Sequence, residues 1–365
     1  MSDSADVAAF QVESVHEDVA AAFFEAFAAH GLTTYAQFNR RILDQRGDFF
    51  EVVRPALTEI DYIGLESRAD WKPMNDRARR RRPRFLFFNS FQRDAVANMA
   101  RDLDLPAWGV VHNPALFAGS EGCLALAREH RIEAFTLAPH VARVLESTVP
   151  ELAGHIHVHH PVGWAAGGPA PWTLPEAGAP IDILIPGALD YKGRAWEALL
   201  DYLDTTDLSD VRPFRIHVVS GGPDRADFEA QVAARGLTRL FCIAPLDPVT
   251  RRVPHSVLMA RMFRSHLLMP MLPPNRLDFV KTKISTSLSM IQGAARPAIL
   301  PRILAETYGC PALISPDDRP YDLRHLDLSN ASLVRLRCAM LELYARLVRE
   351  NVETLSPLIG ESPPG

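Results

Sequence analysis

Short apolar runs alternate along this chain with longer stretches whose apolar residues recur every three or four positions. The first pattern belongs to strands buried in a sheet, the second to helices with one apolar face. "FQVESV" (10–15) reads as the opening strand. "EDVAAAFFEAFAAHG" reads as a helix with acidic residues in its first turn and Gly31 as its stop. The strand-like runs continue with "TTYAQF" (33–38), the apolar patch "FFEVV" (49–53), "RFLFFNS" (84–90), "AWGVVHN" (107–113), "EAFTLA" (133–138) and "HIHVHHPV" (155–162). Helical stretches at 92–103 and 121–130 separate several of them. Strands alternating with helices predict a parallel, doubly wound α/β sheet.

The pattern then breaks. "GWAAGGPAPWTLPEAGAP" (163–180) is crowded with Gly, Pro and Ala and has no apolar period, which is the composition of a linker. From Ile181 the alternation restarts with "IDILIPG", "FRIHVVSGG" (214–222), "LFCIAP" (240–245), "HLLMPM" (266–271), "PAILP" and "PALIS". Helices are predicted at 194–204, 224–235, 254–264, 285–294 and 302–308. Leu333, Leu336, Met340, Leu343 and Leu347 mark a final amphipathic helix, and "ESPPG" reads as a disordered end. The chain therefore divides into an N-terminal Rossmann-like domain (1–163), a linker (164–180), a second Rossmann-like domain (181–328), a C-terminal helix (329–355) and a tail (356–365).

Composition narrows the function classes. With 365 residues, 47% hydrophobic and 23% charged, the chain suits two soluble α/β domains. A net charge of −5 gives no global attraction to nucleic acid. Cys123, Cys242, Cys310 and Cys338 are scattered without zinc or C-x-x-C spacing and read as reduced core thiols. No secretory signal opens the chain and no run reaches the roughly 20 apolar residues of a membrane span. These features predict a cytoplasmic protein.

Ligands of open α/β sheets bind at the carboxyl ends of strands, and three such ends here suit an anion. "GALDYKGR" follows the first strand of the second domain with Gly187, Lys192 and Arg194. "VVSGGPD" offers Gly221 and Gly222, which let a chain pass close to a ligand. "KTKISTSLS" sets Lys283 beside Ser285, Thr286, Ser287 and Ser289 at a helix start, where backbone N–H groups favour a phosphate. Each taken alone is also an ordinary turn or helix cap.

Taken together, residues of about 180–315 resemble the donor-binding half of a GT-B glycosyltransferase. "ILIPGALDYKGRAWEALLDYL" resembles its first strand, turn and helix. "FRIHVVSGGPDRADFEAQVAARGLTRLFCIAPL" resembles its second unit, and "STSLSMIQGAARPAILP" its Ser/Thr-rich helix start and following strand. The resemblance implies two Rossmann-like domains facing across a cleft. It also implies a nucleotide-diphosphate sugar as co-substrate, no required metal or other cofactor, and a glycan or lipid-linked glycan as acceptor. Polysaccharide or glycolipid assembly is the implied setting. Two departures stand out. Ala188 occupies a position where Arg is common, and the acidic pair of many retaining members is missing. Counting back from "GCP" (309–311) puts Arg296 and Leu304 at those positions, and counting back from Pro297 puts Met290 at the glutamate position.

In the first domain, His16 in "SVHEDV" suits a general base for an acceptor hydroxyl, since an unperturbed imidazole titrates near neutral pH. Asp18 or Glu17 would orient it or serve instead. The plainer reading gives the two carboxylates to the helix dipole and His16 to a turn. His112 ends "WGVVHN" where the resemblance implies contact with donor sugar or phosphate. In "HIHVHH", alternate imidazoles lie roughly 7 Å apart, too far to share one zinc ion readily, so no metal is assigned. His160 beside "PVG" reads as a ligand contact at the domain crossing. The basic run Arg77–Arg84 reads as a solvated face or as a peripheral contact with an anionic inner-membrane surface. Two rival functions stay open: a nucleotide-sugar 2-epimerase of the same fold, and a silent GT-B-like binding protein.

Overall fold

The computed structural model describes residues 4–12, 16–65, 71–164, 168–169, 171–176, 178–273, 275–316 and 321–360. The chain forms two compact units: 1–168 with 281–284 and 346–365, and 169–280 with 285–345.

The first unit is a parallel seven-stranded sheet. Its strands are β1 (Val7–Gln11), β2 (Thr34–Asn39), β3 (Thr58–Ile63), β4 (Phe85–Phe88), β5 (Ala107–Val110), β6 (Ile132–Thr136) and β7 (Ile156–Val158), in the spatial order β3-β2-β1-β4-β5-β6-β7. "FLFF" shows why so apolar a run sits at the centre. Phe85 and Phe87 meet Phe27 of the helix Glu17–Ala29 on one face. Leu86 and Phe88 pack with Met74, Ala78 and Met99 on the other. A strand covered on both faces needs apolar residues at every position, not at alternate ones.

The second unit repeats the plan. Its strands β8 (Ile181–Ile185), β9 (Phe214–Val218), β10 (Phe241–Ile243) and β11 (Leu267–Leu268) lie in the order β10-β9-β8-β11. A parallel bridge from Leu268 to Ala298 brings in β12 (Ile299–Pro301), which pairs with β13 (Leu313–Ser315). In both units the order reverses beside the first strand, and open α/β sheets bind ligands at the carboxyl ends of the strands flanking such a reversal, here β1 and β4 and β8 and β11.

Some expectations need correction. The opening strand runs Val7–Gln11, and residues 13–15 lie outside the described residues. "FFEVV" is not a strand: Asp48 accepts the Phe50 N–H and starts the short helix Phe50–Val53. The strand there is "TEIDYI", an edge strand half open to solvent along most of its length, so its apolar signal is weak. The last helix extends past 355, as Asn330–Gly360, and residues 361–365 lie outside the described residues. Residues up to 345 of that helix group with the second unit and those from 346 with the first. Cys338 is exposed rather than a core thiol. The linker assigned to 164–180 is described only in part.

Candidate functional site

In the second unit, β8 ends at Ile185 and the chain turns through Gly187, whose φ of 102° an L side chain rarely adopts. The guanidinium of Arg194 lies directly against this glycine, so close that a Cβ there would collide with it. Arg194 donates to the Pro270 carbonyl and, at 2.9 Å, to Ser287 Oγ, which itself donates to the Pro186 carbonyl. One side chain thus ties the end of β8, the segment after β11 and the first turn of the helix Thr286–Gly293 together. Burial lowers the Arg194 pKa to about 10, with Asp190 and Tyr321 opposing the shift, so the group stays cationic at neutral pH. Both of its hydrogen-bond partners are neutral oxygens.

Ser285 caps that helix by accepting the Ser287 N–H, and Thr286 is exposed in the first turn. Ser289 is buried, and its Oγ finds no partner among the described residues. Lys192 is exposed on the turn, where Asp190 Oδ1 accepts its N–H at 2.9 Å. The loop after β9 is threaded against the same turn. Leu189 N–H donates to Gly221 O at 3.0 Å, Asp224 N–H donates to Leu189 O, and Tyr191 N–H donates to Asp224 Oδ2 at 2.7 Å. Gly222 passes so near Leu189 O that no side chain fits. Gly187, Lys192, Arg194, Gly221, Gly222 and the Ser285–Ser287 helix start are therefore assembled around one strand end. Lys283 falls in the short segment 281–284, which groups with the first unit.

The first unit brings another set together. His16, at φ 78°, precedes the helix Glu17–Ala29, and its ring stacks on His112 with centroids 4.0 Å apart and planes 13° from parallel. Asn89, just past β4, connects them. Its Nδ2 donates to the His16 carbonyl at 2.7 Å and to Gln11 Oε1, and its own carbonyl is 2.7 Å from His112 Nε2. Glu17 and Asp18 are both buried in the first helical turn, where the helix dipole favours negative charge. The separate tasks expected for His16 and His112 therefore fall on rings in direct contact.

Other singled-out residues have packing roles. His155 and His157 each face one oxygen of Glu133, at 2.9 and 2.7 Å. His159 is fully enclosed against Phe23, and burial lowers its pKa to about 3. His160 is not open to a ligand. It exchanges main-chain hydrogen bonds with the Asn351 amide, its ring lies 3.3 Å from Glu350, and burial beside Arg346 lowers its pKa to about 4. Arg296, at one position where the acidic pair was sought, is completely buried and donates to the carbonyls of Pro171 and Phe263.

No family model matches the chain, and no curated protein matches it. Solved structures do, over nearly its whole length. HepE of Anabaena, in complex with UDP and glucose, aligns with a TM-score of 0.59 at 9% identity, covering 98% of this chain and 100% of that one. A glycosyltransferase from Rickettsia africae gives 0.60 at 11% identity, covering 97% and 99%. The fold is GT-B. A variant of Os79 from O. sativa in complex with UDP gives 0.53 at 10% identity, covering 98% and 100%.

Two neighbours of these sets carry no sequence signal: Arg276, whose Nη1 lies 3.4 Å from the Lys192 carbonyl, and Asn89 between the two imidazoles. Arg276 follows "PPN" without helical period or repeat, and Asn89 is an uncharged residue at a strand end. Neither type carries a signal until the turn or the paired imidazoles beside it are in place.

Proposed function

We propose that this protein is a glycosyltransferase whose second unit takes a nucleoside-diphosphate sugar. The carrying observation is Arg194, a half-buried cation bonded to neutral oxygens at a strand end and a helix start. A diphosphate supplies the missing negative charge, and the N–H groups of the Ser285–Ser287 turn add to the same field. The UDP in the HepE and Os79 complexes supports this ligand class.

In the proposed reaction an acceptor hydroxyl oxygen bonds to the anomeric carbon as the bond from that carbon to the diphosphate oxygen breaks. The departing diphosphate gains negative charge, which Lys192 and Arg194 stabilise without a metal ion. The hydroxyl proton passes to a base of the first unit. His16 is the candidate, with His112 stacked on it and Asp18 in the adjoining helical turn. A glycan or lipid-linked glycan fits the acceptor role.

The surface task read for Arg77–Arg84 has less behind it. Arg77 pairs with Asp61, Arg79 with Asp76 and Asp102, Arg81 with Glu59 and Arg84 with Asp6, while Arg80 and Arg82 stay exposed. Among the described residues no helix is long and apolar enough to cross a membrane.

The burial of Arg296 at one position of the sought acidic pair favours a second reading, a protein that binds the nucleotide without transferring sugar. Calorimetry with UDP, GDP, dTDP, CDP and ADP tests the ligand class. Incubation with the matching nucleotide sugar and a glycan acceptor then separates the readings, because only a transferase moves the sugar onto the acceptor hydroxyl, or slowly onto water, and so releases the nucleotide. Binding of none of the five would end both.

A further inference from the structure

The turn that follows β8 meets two guanidinium groups. Arg194 lies against Gly187 at its start. Arg276, from the loop after β11, reaches it further along. Arg276 donates Nε to Asp278 Oδ1 and Nη2 to Asp278 Oδ2, both at 3.0 Å. This two-point grip fixes the plane of the guanidinium, which also rests on the Phe279 ring with its central carbon 5.0 Å from the centroid. The remaining edge, Nη1, faces the turn. It lies 3.4 Å from the Lys192 carbonyl and 3.8 Å from the place a Cβ on Gly193 would occupy. A separation of 3.4 Å is long for an N–H···O bond, so Nη1 keeps donor capacity for a stronger acceptor.

The two arginines differ in how they are held. Arg194 is half-buried and bonded to a carbonyl and a hydroxyl. Arg276 is about one-third exposed and is held by a carboxylate that directs it. Asp278 and, more weakly, Asp190 raise its pKa, so it remains charged across the working range. Resting on the nucleoside-diphosphate reading above, we infer that Arg276 is a second phosphate-binding residue of this site. Arg194 and the Ser285–Ser287 helix start take one phosphoryl group, while Arg276 and Lys192 take the other. Asp278 positions Arg276 by keeping its Nη1 edge turned toward Lys192 and Gly193.

Calorimetric titration of the full chain with UDP and with UMP tests this, using the parent, Arg276→Ala and Arg276→Lys proteins. Arg276→Ala should lose about tenfold in UDP affinity, the equivalent of one charge-assisted phosphate contact, and under about twofold in UMP affinity. Arg276→Lys should recover part of the loss, since the charge returns without the planar fork. The thermal midpoint of the unliganded variants should stay near that of the parent, because Arg276 is partly exposed. A parent that binds UDP beside an Arg276→Ala protein that binds it equally well overturns the inference and leaves the nucleotide reading standing. Equal losses for UDP and UMP also overturn it. A parent that binds none of UDP, GDP, dTDP, CDP or ADP removes the nucleotide reading, and this inference with it.

Discussion

Gly187→Ala tests the architecture of the phosphate turn with one methyl group. At φ 102° an alanine is strained by roughly 1–3 kcal/mol. The larger effect is steric. The new Cβ would occupy the space of the Arg194 guanidinium, which is the far end of a flexible side chain and so moves in preference to the backbone. Moving it breaks the bonds to Pro270 O and Ser287 Oγ and leaves those oxygens buried, for about 1–3 kcal/mol more. The sum, about 2–6 kcal/mol, should be visible as a lower urea midpoint at unchanged m-value. Nucleotide binding should fall in parallel. A displaced guanidinium forfeits a phosphate contact of about 1.5–3 kcal/mol, which is about tenfold to a hundredfold in UDP affinity. Arg194→Ala alone and combined with Gly187→Ala complete the cycle. If the methyl acts through the guanidinium, its effect on UDP affinity should nearly vanish once Arg194 is gone. A Gly187→Ala protein with parental stability and parental UDP affinity would refute the reasoning, because it would mean that Arg194 does not rest on Gly187.

Other outcomes can be stated more briefly. Gly222→Ala should destabilise the second unit by about 2–4 kcal/mol, since the added methyl meets the Leu189 main chain, which cannot swing away; urea unfolding checks this. His16→Ala should lower transfer about 10²–10⁴-fold, and His112→Ala with the double variant should be strongly non-additive because the rings touch; product formation over the full cycle measures it. His159 should make stability fall in acid. Its folded pKa of about 3 lies below the unfolded value near 6.5, so the unfolded chain binds the extra proton first. The stabilisation present above about pH 6.5 is then lost progressively as pH falls toward 3. His159→Phe should reduce the slope of stability between about pH 6 and 4 by about 1.4 kcal/mol per pH unit, and an unchanged slope would show that His159 titrates normally in the fold.

What the sequence by itself determined is the layered α/β plan and the restart of the pattern at Ile181. Period and composition are local properties, so buried strands such as "FLFF" and "IDILI" announce themselves. The Gly187–Arg194 turn and the Ser285 helix start were legible for the same reason, because a strand followed by glycine and a hydroxyl before a helix have local conformational causes. The edge strand Thr58–Ile63 was not, since a strand only partly buried along most of its length needs no apolar run. Only the tertiary structure decided which cations and imidazoles meet. It seated Arg194 on Gly187 and Ser287, brought Arg276 to Lys192 and Gly193, and stacked His16 on His112 through Asn89. It also turned His160 and Arg296 inward to packing roles. These pairings join residues far apart in the chain, and their energies depend on distance and burial that no local pattern encodes. A charged or titratable side chain reads the same in sequence whether it waits for a ligand or satisfies a carbonyl, and the fold alone separates the two.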